Sequence, residues 1–236
     1  MEGNLPKHIV IIPDGNRRWA RERNLKPWIG HREGVERVKE LIKEADKLKI
    51  FCLSFWLLSI DNIKNRPKME IDFLLKLLNK YLDELSKEKE IHEKEVKINI
   101  LGLWEKFLPS QICFKIKKII EITKNYNRHF LNLFIAYDGT NEMIEAINQI
   151  KKQAIKNPNL KITSELIKEN LFTKDLPPVD YLIRTGGDPH LSAGFMMWDI
   201  ANAQFYFTKT YFPDFGKEEL RKAIQDYQKR ERRLGG

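Results

Sequence analysis

The 236-residue chain has only two cysteines, Cys52 and Cys113, and no His/Cys cluster at metal-ligand spacing. That scarcity excludes a disulfide framework and a zinc site. Set among apolar neighbours, both thiols read as buried groups of a reducing compartment. No glycine–lysine phosphate loop occurs, which excludes an ATP cradle of that kind. No apolar run reaches the ~18 residues of a membrane span, and Met1 to Lys7 lacks the apolar core of a signal peptide. The expectation is a cytoplasmic protein that touches a membrane only peripherally. Repeats, low-complexity segments and dividing linkers are also missing, so residues 1–236 are expected to form one domain.

What is present is charge. The chain carries a net +9 with a pI near 9.4. Its ends are the most basic parts: residues 1–32 hold seven Lys/Arg against three acids, and residues 217–236 hold seven against four. Such a surplus implies an anionic partner, whether nucleic acid, a phosphorylated substrate or a membrane surface. Nucleic acid fits poorly, because the basic residues are not interleaved with aromatics along one surface.

Short apolar runs alternate with longer segments of helical periodicity. Strands are predicted at Ile9–Ile12, Ile50–Leu58, Val96–Leu101, Phe130–Ala136, Val179–Ile183 and Gln204–Phe207. Helices are predicted from Val35 to Leu48, Glu70 to about Lys89, Ser110 to Tyr126, around Met143–Ile150, and from Lys217 onward, with a loop from Ser59 to Pro67. This alternation argues an α/β fold with a six-stranded, mainly parallel sheet flanked by helices. The helix beginning at Glu70 is apolar on more than one face. Ile71, Leu74, Leu75, Leu78, Leu82 and Leu85 form one stripe, and Phe73, Leu77 and Tyr81 add apolar surface beside it. Deep burial and an apolar cavity both account for that second face.

Polar clusters follow four of the strands: Asp14–Arg18, Ser59–Asn62, Asp138–Asn141 and Arg184–Asp188. Carboxyl ends of strands are where open α/β sheets bind ligands. In the first cluster an apolar strand breaks at Pro13-Asp14-Gly15-Asn16 and continues at once into Arg17, Arg18 and Trp19. Backbone N–H groups and guanidinium groups at that handover suit a phosphate, and Asp14 suits the Mg2+ that accompanies a diphosphate. An ordinary strand–turn–helix with surface arginines would look the same locally. Arg184, between an apolar strand and Gly186-Gly187, places a second guanidinium at the same edge. His31, after Trp28-Ile29-Gly30, could donate to an anion or cap a helix.

Five segments, in order, resemble the cis-prenyltransferase family, the undecaprenyl diphosphate synthases and their relatives. They are DGN-x-R-W at Asp14–Trp19, Gly30-His31, the S-x-[ED]-N loop at Ser59–Asn62 ending in Arg66-Pro67, IRTGG at Ile183–Gly187, and the terminal ERR-x-GG. The resemblance covers nearly the whole chain. It implies a homodimer with a hydrophobic tunnel in each subunit, Mg2+ as cofactor, and sequential condensation of isopentenyl diphosphate onto an allylic diphosphate to give Z double bonds. Position by position, it implies that Asp14 handles metal and diphosphate. Gly15, Asn16, Arg17 and Arg18 would hold the allylic diphosphate, with Trp19 and His31 beside them. Ser59, Ile60, Asp61 and Asn62 match the second loop, whose asparagine is often assigned in the family as proton acceptor. A neutral amide is a poor base, so Asn62 is expected to orient, with a diphosphate oxygen as proton sink. Arg66, or alternatively Lys64, would bind phosphate together with Arg184. His190, Leu191 and Ser192 match the isopentenyl diphosphate segment, and Arg233 and Gly235 the C-terminal Arg-x-Gly.

The chain departs from the bacterial pattern at several places. Arg17 stands where bacterial members have glycine, a form more typical of archaeal and eukaryotic relatives. Pro27 stands in place of an arginine, leaving Lys26 as the nearest substitute. Ile63 replaces an aromatic, His190 an arginine, and Gln204 a metal-binding glutamate. An amide can ligate Mg2+ through its carbonyl but brings no charge. The expected function is elongation of a prenyl chain from farnesyl or geranylgeranyl diphosphate to the precursor of a glycosyl carrier lipid. The alternative is a non-catalytic lipid-binding subunit of a heteromeric enzyme, though such subunits tend to lose the first-loop aspartate and arginines that are intact here.

Overall fold

The computed structural model describes residues 5–230; the Arg233 and Gly235 assignments lie outside them. Six strands, β1 (His8–Ile12), β2 (Cys52–Leu58), β3 (Val96–Leu101), β4 (His129–Ile135), β5 (Tyr181–Arg184) and β6 (Gln204–Phe207), form one sheet in the order β3-β4-β2-β1-β5-β6. Every neighbouring pair is parallel, so the sheet is wholly rather than mainly parallel. β1 lies between β2 and β5, and the register sets Ile12 beside Arg184. From β1 the chain goes to β2, β3 and β4 on one side and then crosses to β5 and β6 on the other, which opens a crevice at the carboxyl ends of β1 and β5.

Among the described residues ten α-helices connect or flank the strands. They are α1 (Asn16–Glu22), α2 (Pro27–Lys47), α3 (Ile60–Asn65), α4 (Lys68–Leu85), α5 (Lys89–Glu93), α6 (Trp104–Phe107), α7 (Ser110–Thr123), α8 (Gly139–Lys156), α9 (Ser164–Asn170) and α10 (Lys217–Lys229). Burial on both faces explains the unbroken apolar strands. Ile9, Ile11, Phe55 and Ile183 pack with Leu41 of α2, Leu82 of α4, Ile116 of α7 and Ile224 of α10. Val10, Ile12, Trp56 and Leu182 pack on the opposite face with Phe195, Met196 and Ile200.

Three local expectations are corrected. The 59–67 segment is not all loop: Ser59 Oγ accepts from the Asn62 N–H at 2.9 Å and caps the short helix α3. The helix expected from Glu70 to Lys89 ends at Leu85, and α5 follows as a separate turn. Helix α2 begins at Pro27, suited to a first helical position by its fixed φ, so His31 sits a turn inside it. Cys52 is buried as expected, whereas Cys113 is only partly so.

A polar chain crosses the core beneath the Val10 face. His8 Nδ1 donates to the Pro177 carbonyl at 2.9 Å, which leaves Nε2 to accept from Ser54 Oγ at 2.8 Å. Asn132 donates to Ser54 at 2.9 Å, and Asn99 to Asn132 at 2.8 Å. Burial holds the His8 pKa down at about 4, so the ring is neutral when folded. The unfolded chain takes up that proton below pH 6.5, and stability is therefore lost as pH falls from 6.5 through 4. Glu142, raised by burial to about 6, acts in the opposite sense: folded protein binds its proton first, and stability is gained as pH falls from 6 to 4.5. Between pH 7 and 5 the His8 loss is about 2 kcal/mol and the Glu142 gain about 1. Urea unfolding should thus show about 2 kcal/mol more loss between pH 7 and 5 in the native chain than in His8→Gln, which keeps the Glu142 gain. Parallel pH profiles for the two proteins would contradict this assignment.

Candidate active site

Asp14 sits at the crevice, latched from β5. Its N–H donates to Thr185 Oγ1 at 2.9 Å, and the Thr185 hydroxyl donates back to the Asp14 carbonyl at 2.7 Å. The carboxylate accepts from Arg184 Nη2 at 2.9 Å and from the Gly15 N–H at 2.6 Å, and Arg18 Nη2 lies 3.4 Å away. Arg184 is itself buried and also donates through Nη1 to Ser192 Oγ at 2.9 Å. Two glycines make this approach possible. Gly15 has φ +99° with the Tyr211 ring where a Cβ would be, and Gly186 has φ +87° against Arg18 and Asp14. Gly30 and Gly34 let α2 pass so close to Asn16 that a Cβ on Gly30 would stand 1.9 Å from the Asn16 carbonyl oxygen.

Two contiguous cavities meet there. The polar one, about 310 Å³, is lined by Gly15, Arg17, Arg18, Arg21 and Asp188. The deeper one, about 370 Å³, runs between the strand ends and α2 and α4, along Val35, Val38, Leu74, Leu77, Leu78 and Tyr81. Pro13, Asp14, Asn16, His31 and Arg66 line both. The second apolar face of α4 is thus a cavity wall, which decides between the two readings of that helix; Phe73 packs instead 6.3 Å from Trp28.

Behind the shared wall lies Glu70, buried in the first turn of α4. Its carboxylate meets His31 Nε2 at 3.1 Å, Arg66 Nη1 at 3.3 Å and Arg17 Nε at 3.7 Å. The hydrogen bond from His31 and the two guanidinium groups hold Glu70 below the usual carboxylate range. Burial above all, with Arg66 and Arg17 nearby, holds His31 below its ordinary value despite Glu70. The pair is therefore an ionised carboxylate and a neutral imidazole whose Nε2–H points at Glu70. Arg66 Nη1, 3.2 Å from the same nitrogen, consequently bonds Glu70 rather than the ring. Arg66 Nη2 donates to Asn62 Oδ1 at 2.9 Å, which turns the Asn62 amide so that its NH2 is what remains free to donate.

The structure gathers most of the sequence-predicted residues and displaces some. Asp14, Gly15, Asn16, Arg17, Arg18, His31, Ser59, Asp61, Asn62, Arg66, Arg184 and Ser192 line one or both cavities. Between the two candidate cations, Arg66 is the one at the cavities; Lys64 is exposed, its Nζ 5.8 Å from the Phe107 ring centroid. Trp19 lines neither cavity: its Nε1 donates to Asp214 at 2.7 Å and pins α1 to the segment after β6. Ile60, Ile63 and Leu191 pack into the core instead, and His190 lies outside both walls, its carbonyl held by Arg184. Asp138 is buried, with Asn141 at 3.4 Å, and also stands off the cavities.

Gln204 is a correction. The register pairs it with Tyr181, at the amino end of β5 and level with Ile9, three residues before the Arg184–Phe207 pair. At ~3.3 Å per residue that is about 10 Å short of the carboxyl edge, so within one subunit Gln204 does not join Asp14. Among the described residues no three His, Cys, Asp or Glu side chains form a metal cluster. Asp14 is the one carboxylate on both cavity walls among the described residues, a donor set that would hold a divalent cation only with phosphate oxygens completing it. Sequence reasoning missed Glu70 and Arg21. For Glu70 the available signal was its i,i+4 spacing from Arg66.

A guanidinium-lined polar cavity opening into an apolar one suits an anionic head joined to a hydrocarbon tail. Residues 12–235 match the family model described as "Putative undecaprenyl diphosphate synthase". The chain is 36% identical, over 99% of its length and 88% of the relative's, to the tritrans,polycis-undecaprenyl-diphosphate synthase (geranylgeranyl-diphosphate specific) of Pyrococcus furiosus. It is 39% identical to the isoprenyl transferase of Clostridium tetani, over 99% of this chain and 90% of that one. Lavandulyl diphosphate synthase from Lavandula x intermedia, solved with dimethylallyl diphosphate, superposes with a TM-score of 0.90 at 30% identity, covering 98% and 99% of the two chains. The chain belongs to the undecaprenyl diphosphate synthase family of prenyltransferases.

Proposed function

We propose that the protein elongates a prenyl chain, adding isopentenyl diphosphate units to an allylic diphosphate to give a long Z-polyprenyl diphosphate. The observation that carries this reading is the shared wall of Asp14, Asn16, His31 and Arg66, where a polar cavity rich in guanidinium groups continues into an apolar one. The C4 carbon of isopentenyl diphosphate bonds to C1 of the allylic substrate, the C1–O bond breaks, and a proton leaves C2. Negative charge grows on the departing diphosphate, where Arg17, Arg18 and Arg66 already face it. Preorganised donors of this kind lower a barrier by roughly 3 kcal/mol each. Arg184 and Ser192, on the deeper cavity only, suit the second diphosphate. Asn62, its carbonyl occupied by Arg66, orients rather than takes the proton, which leaves a diphosphate oxygen as acceptor. Asp14 would hold Mg2+, which when bound neutralises diphosphate charge. Each added unit lays about five carbons along α4 at roughly 0.8 kcal/mol per CH2.

Geranylgeranyl diphosphate is the primer we assign, because the Pyrococcus furiosus relative is geranylgeranyl-diphosphate specific. The protein acts as a homodimer at the cytoplasmic face of a membrane that takes up the product. No described helix is long and apolar enough to cross one. Incubation with labelled isopentenyl diphosphate, Mg2+ and either geranylgeranyl or farnesyl diphosphate should give long labelled polyprenols on thin-layer plates, with more from the geranylgeranyl primer. Absence of label in any polyprenol with either primer would overturn the reading.

A further inference from the structure

Among the described residues, the guanidinium groups around the polar cavity have carboxylate partners, except one. Arg18 is shared by Asp14 and Asp188 at 3.4 and 3.0 Å, while Arg17 and Arg66 reach Glu70. Arg23, turned away from the cavity, lies 3.1 Å from Asp214. Arg21 lines the cavity, yet among the described residues no carboxylate or hydrogen-bonding group meets its side chain. It stands one turn beyond Arg17 on α1, so two like charges share one helix face at i,i+4, an arrangement that disfavours the helix unless an anion joins them. A favourable position in the last turn of α1 explains a basic residue there. It does not explain the side chain's place on the cavity wall.

Position in the cavity indicates which part of a ligand Arg21 would meet. Asp14, His31 and Arg66 border the apolar cavity and so lie nearest the hydrocarbon; Arg17, Arg18 and Arg21 line the polar cavity alone and lie farther from it. Arg184 and Ser192, in contrast, border only the deeper cavity. We infer that Arg21 binds the distal phosphate of the allylic diphosphate together with Arg17. The inference rests on the function proposed above. It also replaces Lys26 as the substitute for the arginine missing at Pro27: Lys26 lines neither cavity, and its Nζ lies 5.2 Å from the Trp28 ring centroid.

The test compares Arg21→Ala, Arg21→Lys and Lys26→Ala with the native chain. Arg21→Ala should raise KM for geranylgeranyl diphosphate roughly 10-fold, the scale of one charge-assisted hydrogen bond at an exposed site. KM for isopentenyl diphosphate and Tm should stay unchanged, Arg21→Lys should recover part of the loss because it keeps the charge, and Lys26→Ala should behave as native. Binding of geranylgeranyl diphosphate alone, followed by tryptophan fluorescence, should weaken by the same factor in Arg21→Ala. Unchanged binding, or equal rises in both KM values, would overturn the inference. A native chain that binds the primer through Arg21 but never elongates it would overturn the function instead and leave this subsite standing.

Discussion

Asp14→Asn should lower kcat/KM by about three orders of magnitude or more, ~4 kcal/mol of transition-state stabilisation, while shifting Tm little. The amide keeps one oxygen, enough for either Arg184 or the Gly15 N–H, while the latch between the β1 and β5 loops survives through Thr185, which bonds the Asp14 backbone and not its side chain. What disappears is the one carboxylate at the shared wall among the described residues, which would carry Mg2+ and holds Arg184 by charge. Asp14→Ala tests less, because it leaves the buried Arg184 with only neutral acceptors, His190 and Ser192, and lowers stability as well. Steady-state incorporation of labelled isopentenyl diphosphate, beside a thermal melt, separates the two effects. Near-native turnover by Asp14→Asn would remove Asp14 from the chemistry.

Glu70→Ala should be the most damaging change away from the reacting atoms. It strands Arg66, His31 and the Nε edge of Arg17 around a buried gap, and removing one partner of a buried ion pair costs about 3–5 kcal/mol. In a chain of this size that lowers Tm by roughly 10 °C. Glu70→Gln keeps the volume and an acceptor for His31 and should retain most of the stability. It should still reduce kcat, because Arg66 no longer holds the Asn62 amide through a charged anchor. The comparison is a melt and a kcat for each variant. A Glu70→Ala protein with native Tm and native kcat would show that the carboxylate organises nothing.

Five expected helices and all six strands have counterparts in the structure, because each announces itself locally. Apolar β-branched runs give strands buried on both faces, and apolar residues at three- and four-residue spacing give α2, α4, α7 and α8. The short α3, α5, α6 and α9 escaped because four to seven residues hold too little of a period to register. Asp14 and Arg184 could be read as strand-end groups from sequence, since each follows an apolar run and precedes a turn. That they touch is a matter of register: they are 170 residues apart and meet only because Ile12 pairs with Arg184. The same register sets Gln204 at the amino end of β6, apart from Asp14 within one subunit, and its spacing from Arg184 along the chain gave no warning.

By itself, then, the sequence determined the parallel α/β architecture, the basic character of the molecule and the motif residues from Asp14 to Arg184. These depend on local periodicity and turn chemistry, which neighbours along the chain settle. The tertiary structure alone decided that α4 lines a cavity, that Arg66 rather than Lys64 reaches it, that Trp19 turns away, and that Glu70 binds three cations from behind. Those are matters of juxtaposition. A helix face is the same string of leucines whether it meets a sheet or a void, and a carboxylate becomes an anchor only when packing brings cations to it and removes the water.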